Sequence, residues 1–374
     1  MKAAIPSFGV PFAIDFPRAD VDELQRRVAT ARWPELPFQT GWSSGTNDPV
    51  LRDLARYWQE SYDWFEVQAE LNKLDHFRGA VGGEQMHFVL HPAVAESRRL
   101  PILLLHGWPG SFVEFNDAAP RLAREGFDLI VPSLPGFVFS DPPRTAGMNP
   151  TRIAERMHLL MEALGCDRYG VQGGDWGAVV ARELGHLFPE HVAGVHLNLA
   201  PWLPEPKDRP PTSEEQEYLE RRNRFDLGET GYWSIQGTKP QTLSYGLQDS
   251  PLGLLAWVLE KFWAWADHGD DLWESVCRDA VLTNVSLYWL TGRILSAARI
   301  YHEAWAWWPG DSSRVTVPTG YARFPKEPWG PPASLVAPLF NLVHATEMPK
   351  GGHFAALEQP ELFAQDVAAF FSKL

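Results

Sequence analysis

The segment RYGVQGGDWGAVVARELGHLF, residues 168–188, reads as a short apolar strand, a sharp glycine turn and a helix, and few other structures accommodate it. Gly173 and Gly177 flank Asp175 with the G-x-S-x-G spacing that elsewhere presents a catalytic serine, yet the apex here is a carboxylate. A turn of this kind lifts one side chain above a sheet and aims the next helix N-terminus at it, which favours an exposed, ionised Asp175. Taken alone, the same residues equally describe an aspartate capping a helix. Neighbouring segments repeat the rhythm. PILLLHG and FDLIVPSLPG read as buried strands, with a helix around Phe115 to Ala123 between them. TRIAERMHLLMEALG sets Ile153, Met157, Leu160, Met161 and Leu164 on one helical face. Alternating strands and helices imply a mainly parallel sheet covered on both faces.

That rhythm bounds the other parts of the chain. Residues 1–90 form an N-terminal extension with helical patterning: Val21, Leu24 and Val28 at helical spacing, then helices over Val50 to Trp58 and Trp64 to Leu74. GGEQMHFVLHPAV alternates like an edge strand opening the next unit. Residues 91–200 are the first part of the α/β core. Near Pro201 the rhythm stops, and residues 201–312 read as a proline-rich crossing followed by a helical, aromatic lid that includes Leu252 to Asp267. Residues 313–374 return to the core with SRVTVPTGYARF, LFNLVHATEM and the final helix PELFAQDVAAFF.

Composition narrows the function classes. With 45% hydrophobic and 21% charged residues, the 374-residue chain is globular rather than disordered. A formal net charge of −14 offers no basic stripe to displace phosphate counterions, so nucleic acid is not an expected partner. Cys166 and Cys277 make no metal-ligand or redox motif, which fits a reducing cytoplasm. Pro6 and Pro11 interrupt the apolar start and acidic residues follow it, unlike a signal peptide, and no transmembrane helix is expected. The 17 tryptophans provide large apolar walls, whether as packing or as an aromatic pocket. A monomer and a homodimer both stay open.

Three further turns bear on chemistry. In α/β hydrolases the groups run nucleophile, acid, histidine, and Asp175, Glu327 and His353 occupy that order. His353 follows two glycines in KGGHFAALEQPE, where a general base would reach the carboxyl ends of the strands. Glu327, in GYARFPKEPW, is placed to orient it, with Asp311 and Glu347 as competitors. In LLLHGWPGS the Trp108 N–H is placed to meet the N–H of Trp176 as an oxyanion site, and His106 to brace the turn.

HGWPGSFVEF, GGDWGA and GGHFAALEQPEL together resemble the microsomal-type epoxide hydrolases of the α/β-hydrolase superfamily. PFAIDFP, ARWPE and YDWFEVQAELNKLDHFR resemble that family's N-terminal extension, and IQGTKPQTLSYGLQDSPLGLLAWVLEKF its lid, so nearly the whole chain is covered. The mammalian members carry an N-terminal membrane anchor, which is not expected here. The resemblance implies attack by Asp175 on an epoxide carbon, a phenol from Tyr301 or Tyr232 donating to the departing oxygen, and hydrolysis by His353-activated water. Residue type alone reads both tyrosines as packing. The implied partners are an apolar or aromatic epoxide and water, with no cofactor and no metal.

A carboxylate suits that reaction. An epoxide has no carbonyl to acylate, so attack falls on saturated carbon; a serine would become an inert ether, whereas an aspartate becomes a hydrolysable ester. A haloalkane or haloacid dehalogenase, with Trp108 and Trp176 as halide donors, is the nearest alternative. A serine esterase is disfavoured by Asp175 itself. A silent ligand-binding protein on the same fold is the alternative of another class. Detoxification and tailoring of a secondary metabolite both remain open as uses.

Overall fold

The computed structural model describes residues 8–94, 99–200, 206, 209–305 and 313–374. Nine strands form one sheet: β1 (Val10–Pro11), β2 (Asp75–Val81), β3 (Glu84–His91), β4 (Ile102–Leu105), β5 (Leu129–Pro132), β6 (Tyr169–Gly173), β7 (Val192–Leu197), β8 (Val315–Arg323) and β9 (Phe340–Glu347). Their order is β1-β2-β3-β5-β4-β6-β7-β8-β9. The pairings from β5 to β9 are parallel, and β1, β2 and β3 add an antiparallel flank. This is the expected α/β-hydrolase fold, with a mainly parallel central sheet. Strands β4, β5, β6 and β7 are buried along their whole length, as befits a sheet covered on both faces.

Several elements differ from the expectations. The 84–91 strand is not an edge: β2 covers one side of it and β5 the other, and the edge falls to β1. Its inner run, Met86 to Val89, is accordingly buried. Helix 64–74 ends at Leu71, whose carbonyl accepts from His76 Nε2 as the chain turns into β2, a strand the helical reading of this region overlooked. The helix expected at 115–123 divides into a 3-10 turn, Phe112–Phe115, and a short α-helix, Ala119–Arg124. VAGVHL, residues 192–197, is a further parallel strand inside the region before the lid.

The helix Pro150–Ala163 buries Ile153, Met157, Leu160 and Met161 as the periodicity predicts, while Leu164 becomes its C-cap. Among the described residues between β7 and β8 lie six α-helices, Ser213–Glu229, Gly231–Thr238, Pro240–Asp249, Pro251–Trp265, Arg278–Thr291 and Ile294–Trp305. Pro201 and the crossing through residue 205 lie outside the described residues, as does Asp311.

The N-terminal extension grips this helical layer. Tyr62 shares a buried hydrogen bond with Thr283 at 3.0 Å, the Tyr57 hydroxyl donates to Asp279 at 2.8 Å, and Thr46 donates to the Ala256 carbonyl at 2.6 Å. Trp42 stacks on Trp263 with ring centroids 4.4 Å apart. The N-terminal segment and these helices thus pack directly on one another through hydrogen bonds and stacked rings.

Candidate active site

The Asp175 turn is held by backbone geometry. Asp175 has φ +47°, a left-handed conformation that costs a non-glycine residue about 1–3 kcal/mol and that the surrounding structure must over-determine. The helix Asp175–Leu187 starts there and runs so close to β4 that a Cβ on Gly177 would overlap the Leu105 carbonyl. A Cβ on Gly107 would overlap Asp175 Oδ1 itself. These glycines therefore let two turns meet: the Trp108 N–H donates to Asp175 Oδ1 at 2.8 Å. Trp176 is the next residue, in the first helical turn, where N–H groups point out of the helix end.

His353 arrives from the loop before the final helices. Its Nε2 lies 3.4 Å from Asp175 Oδ2 and its Nδ1 is 2.8 Å from Glu327 Oε2. Glu327 is fully buried, and its other oxygen accepts from the Trp329 N–H at 3.0 Å. Burial, the largest single influence, works against a charged imidazole, but the Glu327 and Asp175 carboxylates together outweigh it and hold His353 well above its usual range. Of the other acids considered, Glu347 lies on β9 and pairs with Arg323, and Asp311 is outside the described residues. His106 is buried and accepts from the Leu134 N–H at 3.2 Å, the bracing role expected of it.

The tyrosines come from two lid helices. Tyr232 stacks on the Trp108 indole at 5.4 Å, Tyr301 stands edge-on to Trp176 at 4.9 Å, and the two phenol rings are 5.7 Å apart. Both are buried. The Tyr301 hydroxyl, with Tyr232 and Trp176 as polar neighbours, makes no hydrogen bond of good geometry within the protein. Desolvation, reinforced by the Asp175 charge, raises both phenols well above their usual range, so they are neutral donors at pH 7.

A narrow cavity opens on Asp175, lined also by Trp176, Val179, Tyr218, Arg222, Trp233 and Trp329. A second cavity reaches the same carboxylate past Glu114, Asn198 and His353. Burial there raises the Glu114 carboxyl to about 8.

Sequence reasoning missed several residues that hold these parts. Glu358 accepts from the backbone N–H groups of Gly352 and Phe354 at 2.9 Å and of Asp267 at 2.7 Å, tying the His353 loop to the end of a lid helix. Asn284 donates to the Pro109 carbonyl at 2.5 Å and Tyr288 to that of Gly110 at 2.7 Å, so the lid also grips the turn carrying Trp108. Glu358 lies within the quoted GGHFAALEQPE motif and was visible there; Asn284 and Tyr288 sit in a plain helix and left no local signal. Among the described residues no helix is long and apolar enough to cross a membrane, and no group of three His, Cys, Asp or Glu side chains is placed to hold a metal ion.

Comparison with known proteins bears directly on this arrangement. Residues 10–115 match the family model described as epoxide hydrolase N terminus, and residues 101–252 match that of the alpha/beta hydrolase fold. A putative epoxide hydrolase of Stigmatella aurantiaca is 40% identical over 97% of this chain and 85% of its own length. Juvenile hormone epoxide hydrolase 2 of Ctenocephalides felis is 37% identical over 90% of this chain and 79% of its own. The solved structure of Aspergillus niger epoxide hydrolase superposes with a TM-score of 0.89 at 32% identity, covering 99% of this chain and 100% of that one. Matched over nearly its whole length by relatives at more than 30% identity, the chain belongs to the epoxide hydrolase family.

Proposed function

We propose that this enzyme converts an apolar or aromatic epoxide to a vicinal diol in two steps through an ester on Asp175. The observation that carries the reading is the Asp175 carboxylate, with one oxygen held by the Trp108 N–H and the other facing His353, in a cavity roofed by the lid. Asp175 Oδ2 attacks a ring carbon, the carbon–oxygen bond of the epoxide breaks, and Tyr301 or Tyr232 gives its proton to the departing oxygen. Alkylation removes the negative charge of Asp175. One cause of the raised His353 basicity disappears with it, so the imidazole releases its proton to the tyrosinate and becomes a base.

His353 then takes a proton from water as the water oxygen attacks the ester carbonyl carbon. The tetrahedral oxyanion forms at Oδ1, against the Trp108 N–H and the helix end bearing Trp176. Collapse breaks the acyl–oxygen bond, and His353 protonates the leaving alkoxide. The sum is epoxide plus water giving diol, with no cofactor consumed. Free Cys166 and Cys277 favour a reducing compartment such as the cytoplasm for this chemistry.

The reading is tested with His353→Gln. That variant is expected to lose turnover while its intact mass rises by one substrate mass on exposure to styrene oxide. No mass increase with styrene oxide or any of a panel of reactive epoxides overturns the covalent route.

A further inference from the structure

The cavity that opens on Asp175 is not uniformly apolar. Its walls include the indoles of Trp176, Trp233 and Trp329 and the aliphatic Val179 and Leu199, but they also carry Tyr218 and Arg222, one helical turn apart on the helix Ser213–Glu229. Tyr218 is buried, and its hydroxyl lies beside the Arg222 guanidinium. Arg222 is largely covered, with 28% of its side chain exposed. Its Nε faces Asp226 Oδ2 at 3.3 Å, a long contact with a more exposed carboxylate that also accepts from the Trp329 indole at 3.4 Å. That contact engages one edge of the guanidinium and leaves the pair of terminal nitrogens for another acceptor.

A cation in an aromatic wall carries a desolvation cost that an i, i+4 surface pair does not explain. The chain has a formal net charge of −14, so an anionic ligand is repelled at long range and needs a local cation to bind. Arg222 presents only donors, in the planar fork that fits a carboxylate, and the Tyr218 hydroxyl beside it adds one more O–H. Resting on the epoxide reading above, we propose that the preferred substrate is an epoxide whose apolar body ends in a carboxylate, bound by Arg222 and Tyr218 while the epoxide ring lies over Asp175. The aromatic walls then enclose the body between two polar ends, and Arg222 sets specificity without touching the reacting atoms.

The test compares 4-(glycidyloxy)benzoate with 4-(glycidyloxy)benzamide, which share size and ring but differ in charge. The wild-type enzyme is expected to favour the benzoate by at least about tenfold in kcat/KM, mainly through KM. Arg222→Met is expected to bring the two values to within about twofold of each other, with Arg222→Lys between. Asp226→Asn, which removes the competing carboxylate, is expected to widen the preference. Equal kcat/KM for both compounds in the wild type, or a benzoate preference that survives Arg222→Met, overturns the assignment. Phenyl glycidyl ether, which has neither end group, separates the two levels: if the wild type opens it but shows no benzoate preference, only this inference fails; if it opens none of the three, the epoxide reading fails with it.

Discussion

The two halves of the site are positioned by different means. Asp175, Trp108 and His353 sit on turns at the ends of strands, where glycines, backbone hydrogen bonds and a positive φ leave each side chain one place to go. Tyr232, Tyr301 and Arg222 sit on helices outside the strand ends, where the two tyrosines pack ring against ring, and the N-terminal segment reaches this helical layer through pairs such as Tyr62 with Thr283 on the helix Arg278–Thr291. In the mechanism proposed above, the core half supplies the covalent chemistry and the helical half the proton and the substrate contacts. The comparison teaches that nucleophile geometry is secured by local backbone constraint, while acid geometry is secured by tertiary packing.

This division can be broken at several levels. The largest effect belongs to the core: Asp175→Ala is expected to lower turnover by roughly 10⁴-fold or more and to abolish any substrate-sized mass increase, measured by diol formation and intact mass. Substantial residual turnover there would remove the carboxylate from its role. Next comes the lid. Tyr301→Phe is expected to slow ester formation by about 10²-fold in single-turnover experiments, with the Tyr232→Phe, Tyr301→Phe double variant slower still, while hydrolysis of a preformed ester is little changed. Equal slowing of both steps would erase the distinction between the halves.

A smaller effect concerns pH. The Glu114 carboxyl, raised to about 8 chiefly by burial, is neutral at pH 7 and ionises as pH rises through that value, adding a second negative charge beside Asp175. That charge opposes the oxyanion of ester hydrolysis, so kcat is expected to fall about fivefold from pH 8 to pH 9, and Glu114→Gln to retain its plateau. Because the folded-state value lies above the ordinary carboxylate range, this group also withdraws stability as pH rises from that range up to about 8, and the loss levels off above it. An identical alkaline limb in both proteins would exclude Glu114 as its source. The smallest effect tests the grip of the extension. Tyr62→Phe is expected to cost about 1 kcal/mol in denaturant unfolding and to slow alkylation a few-fold more than hydrolysis. A stability loss with both steps slowed alike would show that the extension does not act through the lid.

The same division explains what could be read in the sequence. The Asp175 turn was legible because only glycine fits where the helix meets Leu105 and where Gly107 meets Asp175, so local spacing reported the tertiary contact. The 84–91 strand was legible as a strand and illegible as an interior one, since its neighbours β2 and β5 are set by pairing rather than by its own pattern. VAGVHL is uniformly buried and too short for periodicity to distinguish from a loop or helix end. Asn284 and Tyr288 act on carbonyls 175 and 178 residues earlier in the chain, and nothing in their own helix announces it. Arg222 likewise reads as one more charge on a highly charged helix until Trp233 and Trp329 close around the same cavity.

The most direct test of the account is one turnover in ¹⁸O-labelled water, with excess enzyme, followed by mass analysis of the peptide bearing Asp175. Water attack on the ester carbonyl leaves the new oxygen in the aspartate, so a gain of about 2 Da in that peptide and an unlabelled diol are predicted. Label in the diol alone, with the Asp175 peptide unchanged, would mean that water opens the ring directly and would contradict the covalent mechanism.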